Sequence, residues 1–272
     1  MRAPAVSGQF YPDSRQGINE FIKQCLAADP ASAKNVSRMK ARGIILPHAG
    51  YIYSGKVAVT TVSKILPAQK LIILGPNHTG LGEPFSLWPK DAWEVPGADI
   101  PIDEKLTSDI LAAGDLIKAD RLAHLREHSI EVELPILQYF FKRFSFAAIA
   151  CQTASLAEYE KIAGQICSAV KKQKEDVLLV ASSDMTHYEP DAAARKKDTK
   201  VLEHIVALDP EGMLETIDTL ASSMCGAAPV AILLCCLRKL GARKAQVALY
   251  QTSGDSGGDY NEVVGYAGVI IQ

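Results

Sequence analysis

The sequence feature that most constrains this fold is a series of short, uninterrupted aliphatic runs that alternate with longer helical stretches. The runs lie at 43–46, 71–74, 146–150, 177–181, 247–251 and 263–271. The helical stretches lie at 14–28, 55–65, 103–113, 129–141, 156–174, 191–207, 210–220 and 227–240. Short runs that are apolar throughout are typical of strands buried on both faces. Their alternation with helices predicts an α/β fold with a mostly parallel or mixed central sheet and helices on both faces.

The 272 residues are predicted to form a single domain spanning 1–272. A chain of this length also permits two domains, but the polar segments between the predicted elements are short and none has the composition of a linker. The least regular region, 79–101, contains both tryptophans and is rich in glycine and proline. A long loop of this kind is typical of an active-site wall or of a small excursion from the sheet.

Charge and hydropathy argue against two classes of partner. The 29 Lys and Arg residues nearly balance the 31 Asp and Glu residues, so the chain lacks the cationic surface on which nucleic-acid binding depends. No apolar run approaches the roughly 20 residues that a membrane-spanning helix needs, and the first residues do not resemble a signal peptide. We therefore expect a cytoplasmic protein with no nucleic-acid and no membrane partner. The six cysteines show no C-x-x-C spacing, and we expect reduced thiols rather than disulfides.

Metal-capable side chains follow three of the predicted strands. His48 follows the run 43–46, His78 follows 71–74, and Asp184 and His187 follow 177–181. Because ligands bind outside the carboxyl ends of strands in open parallel sheets, these side chains converge if the three strands are neighbours. Two imidazoles and a carboxylate leave open positions on a divalent metal, as in non-haem Fe(II) enzymes. The structural alternative is that each histidine only hydrogen-bonds the end of its strand.

A cysteine and a third histidine are further candidates for the same site. Cys225 precedes the predicted helix 227–240, and a helix N-terminus favours the thiolate. A thiolate among the ligands would shift the preference toward softer ions. His128 is expected to project into the strand-end site, with Glu127 or Glu131 orienting a ligand histidine. The other five cysteines are interpreted as core residues.

Two short motifs suggest protease chemistry that their context does not support. The segment from His124 to His128 matches H-x-x-E-H, in which two histidines on one helix bind zinc, but here the pattern falls at a helix boundary. The segment 254–259, Gly-Asp-Ser-Gly-Gly-Asp, is similar to the nucleophile segment of trypsin-like proteases, which need two β-barrels. We interpret it as a glycine-rich loop at the rim of the site.

Six ordered motifs together resemble the Memo family. They are Arg-Ala-Pro-Ala-Val-Ser-Gly-Gln-Phe-Tyr-Pro at 2–12, Pro-His-Ala-Gly-Tyr-Ile-Tyr-Ser-Gly at 47–55, Gly-Pro-Asn-His-Thr-Gly at 75–80, Glu-His-Ser-Ile-Glu at 127–131, Ser-Ser-Asp-Met-Thr-His-Tyr at 182–188 and Cys-Gly at 225–226. The resemblance spans nearly the whole chain. It implies the fold of class III extradiol ring-cleaving dioxygenases and a metal site made by His48, His78 and Cys225.

The resemblance also implies roles, metals and partners. Asp184 and His187 match other pocket residues of the family, and His128 lies in its Glu-His-Ser motif. Iron is the implied metal, with copper in some accounts and zinc as an alternative. Eukaryotic members are described as motility and phosphotyrosine-peptide adaptors. Prokaryotic members of the AmmeMemoRadiSam type are often encoded beside radical-SAM and AMMECR1-domain proteins, which are the protein partners we expect.

We therefore expect a metal-dependent redox protein, with an oxidoreductase or dioxygenase-like activity left open. In this hypothesis His48, His78 and Cys225 bind iron or copper, while the catalytic residues His187, His128 and Asp184 handle protons or position a small molecule. Ring-cleaving relatives complete the site with a carboxylate where this chain would use a thiolate, so catechol cleavage does not carry over. A binding module for a small molecule or phosphopeptide without turnover is one alternative, and a metal-dependent hydrolase is another.

Overall fold

The fold is built on one mixed central sheet, as seen in a computed structural model that describes residues 1–28 and 38–272. The strands are β1 (Gly43–Leu46), β2 (Lys70–Pro76), β3 (Phe85–Leu87), β4 (Ala92–Val95), β5 (Ala98–Pro101), β6 (Lys118–Ala119), β7 (Ser145–Cys151), β8 (Val177–Ser182), β9 (Asp184–Glu189), β10 (Ala245–Thr252) and β11 (Val263–Ile271). The strand order is β10-β11-β1-β8-β2-β7-β3-β6, and β9 also pairs with β11. The strands β4 and β5 form a separate hairpin.

The four central strands of the sheet are parallel, and the strands β11 and β3 that flank them on either side are antiparallel to them. Neighbouring strands β1, β8, β2 and β7 run in one direction, so their carboxyl ends meet at one edge. Nearly every residue of these four strands is buried, which explains their uninterrupted apolar sequences. The strand β11 is antiparallel to β1, β10 and β9, and β3 is antiparallel to β7. The predicted α/β fold with a mixed sheet is confirmed.

Helices cover both faces of the sheet, as predicted. They are α1 (Arg15–Ala27), α2 (Tyr51–Ser63), α3 (Glu104–Ala112), α4 (Leu134–Phe141), α5 (Leu156–Val170), α6 (Asp191–Val206), α7 (Pro210–Leu220), α8 (Ala227–Lys239) and the short α9 (Gly254–Gly257). One hydrophobic cluster joins the sheet to α3, α5, α6, α7 and α8, and a second joins it to α1, α2 and α4. No helix in the described ranges is both long enough and apolar enough to span a membrane.

The irregular region 79–101 contains three short strands. The strand β3 extends the central sheet, while β4 and β5 form a hairpin around Pro96 and Gly97. Trp88 and Trp93 are each 1% exposed and pack edge to face with each other. These tryptophans belong to the core, so most of the region is a small excursion from the sheet.

Several elements differ from the sequence prediction, and two of the differences bear directly on the site. The segment 184–189 is a strand, β9, although it was expected only to follow one. The predicted helix 129–141 begins as α-helix only at Leu134, after a 3₁₀ turn at Glu131–Glu133. The start is delayed because the Ser129 hydroxyl donates to the carbonyl of the distant residue Pro76, while the Ser129 backbone N–H donates locally to Glu127 Oε1.

Candidate metal centre

Three histidines converge at the carboxyl edge of the parallel strands. His48 lies between β1 and α2, His78 follows β2, and His128 lies in the connection before α4. One ligand atom from each of the three lies within 4.8 Å of the other two. The ring centroids of His78 and His128 are 4.9 Å apart and those of His48 and His78 are 5.2 Å apart. This spacing is that of side chains able to share one ion.

The orientation of His48 is fixed by a hydrogen bond on each side. Its backbone N–H donates to Asp184 Oδ1 at 2.9 Å, and its Nδ1 lies 2.7 Å from the Ser182 hydroxyl. The side chain is 2% exposed. Burial, and then the neighbouring imidazoles of His128 and His78, hold the pKa of His48 well below its ordinary value. His48 is therefore neutral near pH 7, as a metal ligand must be.

The carboxylate of Glu127 organises the other two histidines. It accepts hydrogen bonds from the His78 backbone N–H at 2.6 Å and from the His128 backbone N–H at 2.9 Å, and its Oε1 lies 2.9 Å from His78 Nδ1. Contact between a carboxylate and Nδ1 leaves Nε2 of His78 for a ligand. The expectation that Glu127 or Glu131 orients a histidine is met by Glu127. Glu131 instead pairs with Arg2, at 2.7 Å.

Hydrogen bonds and charge explain the shifted pKa values of Glu127 and His78. Burial alone would raise the pKa of Glu127, but the hydrogen bond and charge of His78 and the Ser129 backbone N–H outweigh it and lower the pKa to about 2. Burial alone would lower the pKa of His78, yet the hydrogen bond and charge of Glu127 raise it. Burial lowers the pKa of His128, which Glu127 opposes. Glu127 is thus a buried anion beside the candidate centre.

Asp184 and His187 lie on β9 beside the three histidines. Asp184 Oδ2 is 3.9 Å from His48 Nε2, and burial raises the pKa of Asp184. The backbone N–H of His187 donates to the Ser223 hydroxyl, while its buried Nδ1 has no hydrogen-bond partner within the described ranges. Asp184 and His187 thus line the cavity in front of the histidines without belonging to the group of three.

Cys225 lies against His48 and outside the group of three histidines. Its Sγ is 3.3 Å from His48 Nε2 and 3.7 Å from the Asp184 carbonyl oxygen. The helix N-terminus was expected to lower the pKa of the thiol. Instead, burial and then the charge of Asp184 raise the pKa of Cys225 far above its ordinary value in the metal-free chain. The described cysteines other than Cys225 are all buried, in agreement with their interpretation as core residues.

The donor set fits a divalent transition metal. Three imidazoles that retain open coordination positions are typical of catalytic zinc sites, and imidazole equally suits iron and copper. The carboxylate of Asp184 and the thiol of Cys225 both lie beside His48 and would add a charged ligand. The residues present therefore fit a bound divalent transition metal.

Two cavities reach the centre from different sides. The first, which we call the imidazole cavity, has a volume of about 630 Å³. It is lined by Phe10, His48, Ala49, Gly50, Tyr53, His78, His128, Asp184, His187, Tyr188, Ser253, Gly257, Asp259, Glu262, Val264 and Tyr266. The second, the thiol cavity, has a volume of about 800 Å³ and includes Cys225, Met224 and Leu214 in its lining. His78 lines both cavities, so the centre lies between them.

The two protease-like motifs take other roles. His124 is fully buried, its ring packs edge to face against both Trp88 and Trp93, and its Nε2 is 2.9 Å from the Ser86 carbonyl oxygen. It therefore does not join His128 at the centre, and the zinc-protease interpretation fails. The Gly-Asp-Ser-Gly-Gly-Asp segment forms α9 and the turn after it, and its Gly257 and Asp259 line the imidazole cavity, as expected for a rim loop.

Sequence reasoning missed two buried polar residues behind His48. Ser182 is the last residue of β8 and contacts His48 directly, and Glu133 is buried in the 3₁₀ turn before α4. The motif Ser-Ser-Asp was visible, but its first serine carries no signal of a contact with a distant histidine. Glu133 follows the Glu-His-Ser-Ile-Glu motif in an otherwise apolar stretch, and a lone acidic residue there was the available signal.

Comparisons with known proteins match the whole chain. The family model described as Memo-like protein matches residues 2–270. A MEMO1 family protein of Aquifex aeolicus is 40% identical over 274 residues, covering 100% of this chain and 99% of that protein. One of Methanopyrus kandleri is 36% identical over 279 residues, with coverage of 100% and 99%.

A solved structure supports the fold alone. An Escherichia coli K12 protein described as uncharacterized superposes with a TM-score of 0.60 at 9% identity, over 85% of this chain and 100% of that one. This likeness carries no functional information at so low an identity. The family match over residues 2–270, together with the relatives at 36% and 40% identity, establishes the family: the chain belongs to the Memo family.

Proposed function

We propose that this protein is a metal-dependent redox protein that binds Fe(II), or alternatively copper, at His48, His78 and His128. The observation that carries the proposal is the group of three ligand atoms within 4.8 Å of one another. The Nδ1 atom of His48 contacts the Ser182 hydroxyl, and that of His78 contacts the Glu127 carboxylate. Each contact leaves Nε2 of that imidazole available to a shared ion. Such support from outside the ligand set is characteristic of metal-binding histidines.

Cys225 is proposed as a further ligand or as a neighbour that tunes the ion. Its sulfur lies 3.3 Å from His48 Nε2, and Cys225 lines the thiol cavity rather than the imidazole cavity. In the absence of an ion the buried thiol stays protonated, because burial raises its pKa. A divalent cation would favour loss of that proton and would gain a soft, anionic donor.

The bound ion would supply redox and Lewis-acid chemistry, and the surrounding residues would manage protons and the bound molecule. Asp184 is held by the His48 backbone N–H and remains close enough to accept or release a proton at Oδ2. His187 offers an unpartnered Nδ1 among the described residues and lines the imidazole cavity. We assign these two residues to proton handling and to positioning of the small molecule.

The lining of the imidazole cavity indicates the kind of molecule that it would accept. Three carboxylates face it, from Asp184, Asp259 and Glu262, whereas its described lining contains no lysine or arginine. Aromatic side chains of Phe10 and Tyr266 form part of the wall. A neutral or cationic small molecule with an aromatic or apolar portion suits this surface better than a free phosphate.

Anaerobic metal titration followed by redox titration tests the proposal. The protein loaded with Fe(II) is expected to bind one ion per chain and to be oxidised and re-reduced reversibly, while the zinc-loaded protein is the redox-silent control. Replacement of His78 by alanine should abolish binding, and replacement of the half-buried His204, which pairs with Asp209 instead of joining the candidate centre, should not. Failure to bind Fe(II), or a bound ion that cannot be oxidised, would contradict the redox proposal and favour a hydrolytic zinc site.

An adaptor function is a second candidate because aromatic groups are exposed at the mouth of the imidazole cavity. Tyr188 is 74% exposed and Tyr53 is 43% exposed, which suits contact with a peptide. The acidic lining opposes a phosphopeptide in the metal-free chain. Calorimetry with phosphotyrosine peptides should therefore detect no binding without metal, and tight binding that ignores the metal would favour the adaptor.

A further inference from the structure

Glu133 is a buried acid with no ion-pair partner in the described ranges. Its side chain lies in the 3₁₀ turn Glu131–Glu133 and is 1% exposed. Neither carboxyl oxygen has a hydrogen bond of good geometry to any described residue. Burial raises the pKa of Glu133 well above its ordinary value, the charge of Asp184 adds to the rise, and the Ser182 hydroxyl is the one neighbour that opposes it. An isolated carboxylate in such a place is costly, so the side chain is a neutral acid.

The hydrogen bonds of Ser182 define the tautomer of His48. The Ser182 hydroxyl oxygen lies 2.7 Å from both the Ser129 carbonyl oxygen and His48 Nδ1. A carbonyl can only accept, so the single hydroxyl hydrogen must go to Ser129 if that contact is a hydrogen bond. The contact with His48 then requires a hydrogen on Nδ1. This arrangement alone satisfies both contacts, and it leaves the lone pair of Nε2 facing the centre.

We propose that Glu133 is a positioning residue that holds His48 in its Nδ1–H form through Ser182. A hydroxyl oxygen accepts two hydrogen bonds and donates one. The Nδ1–H of His48 uses one acceptor position and the Ser129 carbonyl takes the donor. Glu133 neighbours the Ser182 hydroxyl and has no other described partner, so a small rotation of its acid group would fill the second acceptor position. With both acceptor positions occupied, the hydroxyl cannot turn its hydrogen toward His48.

An apolar or an anionic residue at position 133 would each change this arrangement. With leucine there, the Ser182 hydroxyl could rotate and donate to His48 Nδ1. The imidazole hydrogen would then lie on Nε2, which would no longer have a lone pair with which to bind a metal. An ionised carboxylate would draw the hydroxyl hydrogen away from Ser129 and favour a charged imidazole. Glutamine retains a neutral donor of the same shape. Comparison of Glu133→Gln with Glu133→Leu therefore separates the effect of a hydrogen-bond donor at position 133 from the effect of side-chain volume.

The direct test is the tautomer of His48 in the metal-free protein, measured by ¹⁵N chemical shifts and long-range ¹H–¹⁵N couplings at pH 7.5, with His48→Gln to assign the signals. Wild type and Glu133→Gln are expected to show His48 in the Nδ1–H form. Glu133→Leu is expected to show a mixture containing the Nε2–H form, and Ser182→Ala should show it as well. A purely structural role would alter the unfolding free energy of Glu133→Leu without altering the tautomer.

Metal affinity provides a second readout, and that readout rests on the proposed function. Glu133→Leu is expected to weaken binding about 10- to 100-fold, as for other residues that support a metal ligand, while Glu133→Gln stays within about 3-fold of wild type. If His48 remains wholly Nδ1–H in Glu133→Leu, or if Glu133→Gln behaves like the leucine variant, the inference is wrong. If the tautomers behave as expected but wild type binds no metal, the inference stands and the proposed function fails.

Discussion

Replacement of Glu127 by glutamine tests the electrostatic support of the centre. Glu127 is 2% exposed and accepts hydrogen bonds from the backbone N–H groups of His78, His128 and Ser129, as well as contacting His78 Nδ1. A glutamine has the same shape, but it has no charge and presents an N–H₂ group where one carboxylate oxygen accepts. We expect the variant to fold with a displaced or mobile His78.

The magnitude of this effect follows from the pKa of Glu127. Folding lowers that pKa from its ordinary 4.5 to about 2, which corresponds to about 3 kcal/mol of stability at neutral pH. Because the folded value lies below the unfolded one, this stability is present above about pH 4.5 and is lost as the pH falls toward 2. Glu127→Gln should therefore lower the free energy of unfolding at pH 7 by about 3 kcal/mol and flatten its dependence on pH in that window.

Urea unfolding of the metal-free protein measures this change, and calorimetry with a divalent metal measures a concurrent loss of affinity of about 10- to 100-fold. Glu158→Gln is the matched control. Glu158 is an exposed carboxylate in the capping box of α5, where glutamine is also accepted, so its replacement should be nearly neutral. If Glu127→Gln unfolds within about 0.5 kcal/mol of wild type, the carboxylate does not support the site as we argue.

Two further predictions concern residues around the site. Gly226 packs closely on Ser183 and the Ser182 carbonyl, so Gly226→Ala should lower the free energy of unfolding in urea by about 2 kcal/mol. Gly164 lies in α5 with open space around it, so Gly164→Ala should be neutral or stabilising. Equal effects of the two substitutions would contradict this packing. Burial lowers the pKa of His124 to about 4, so the unfolded chain takes up this proton at a higher pH than the folded protein does. The free energy of unfolding should therefore fall by about 3 kcal/mol as the pH falls from 6.5 to 4. His124→Gln should remove this loss, and an unchanged pH profile would refute it.

The parallel centre of the sheet was predictable because burial on both faces leaves a direct mark on sequence. Each strand of the set β1, β2, β7 and β8 appears as an uninterrupted aliphatic run. The same runs placed His48 and His78 at strand ends, which is why their convergence could be anticipated. The direction of β11 could not be predicted, since a buried antiparallel strand has the same apolar composition as a parallel one.

The strand β9 was not recognised because its sequence is polar. It pairs with β11, and three of its six residues are buried. Met185 packs in the hydrophobic core, whereas Asp184 and Thr186 are held by hydrogen bonds to His48 and Asp198. Polar side chains at a site break the hydrophobic pattern by which strands are recognised. The same conflict delayed α4, where Ser129 and Glu131 make tertiary hydrogen bonds in a segment whose apolar spacing is helical.

The grouping at the centre was only partly visible in sequence. His128 was placed near the site by its motif, but its distance to His48 and His78 depends on the path of the chain between β6 and α4. Cys225 was expected to be a metal ligand and its sulfur lies beside His48, whereas its burial, which decides the thiol pKa, depends on the packing of α8 against β8. Contacts between distant segments of this kind leave no periodic signal.

Anomalous diffraction at the absorption edge of the bound metal tests the central claim most directly. Crystals grown with Fe(II) under anaerobic conditions are expected to show one strong peak per chain between His48, His78 and His128, and the peak should disappear in His128→Ala. Its distances to Asp184 and Cys225 would show which of these completes the ligand set. No peak, or a peak that lies elsewhere and persists in His128→Ala, would contradict a metal centre at the strand ends.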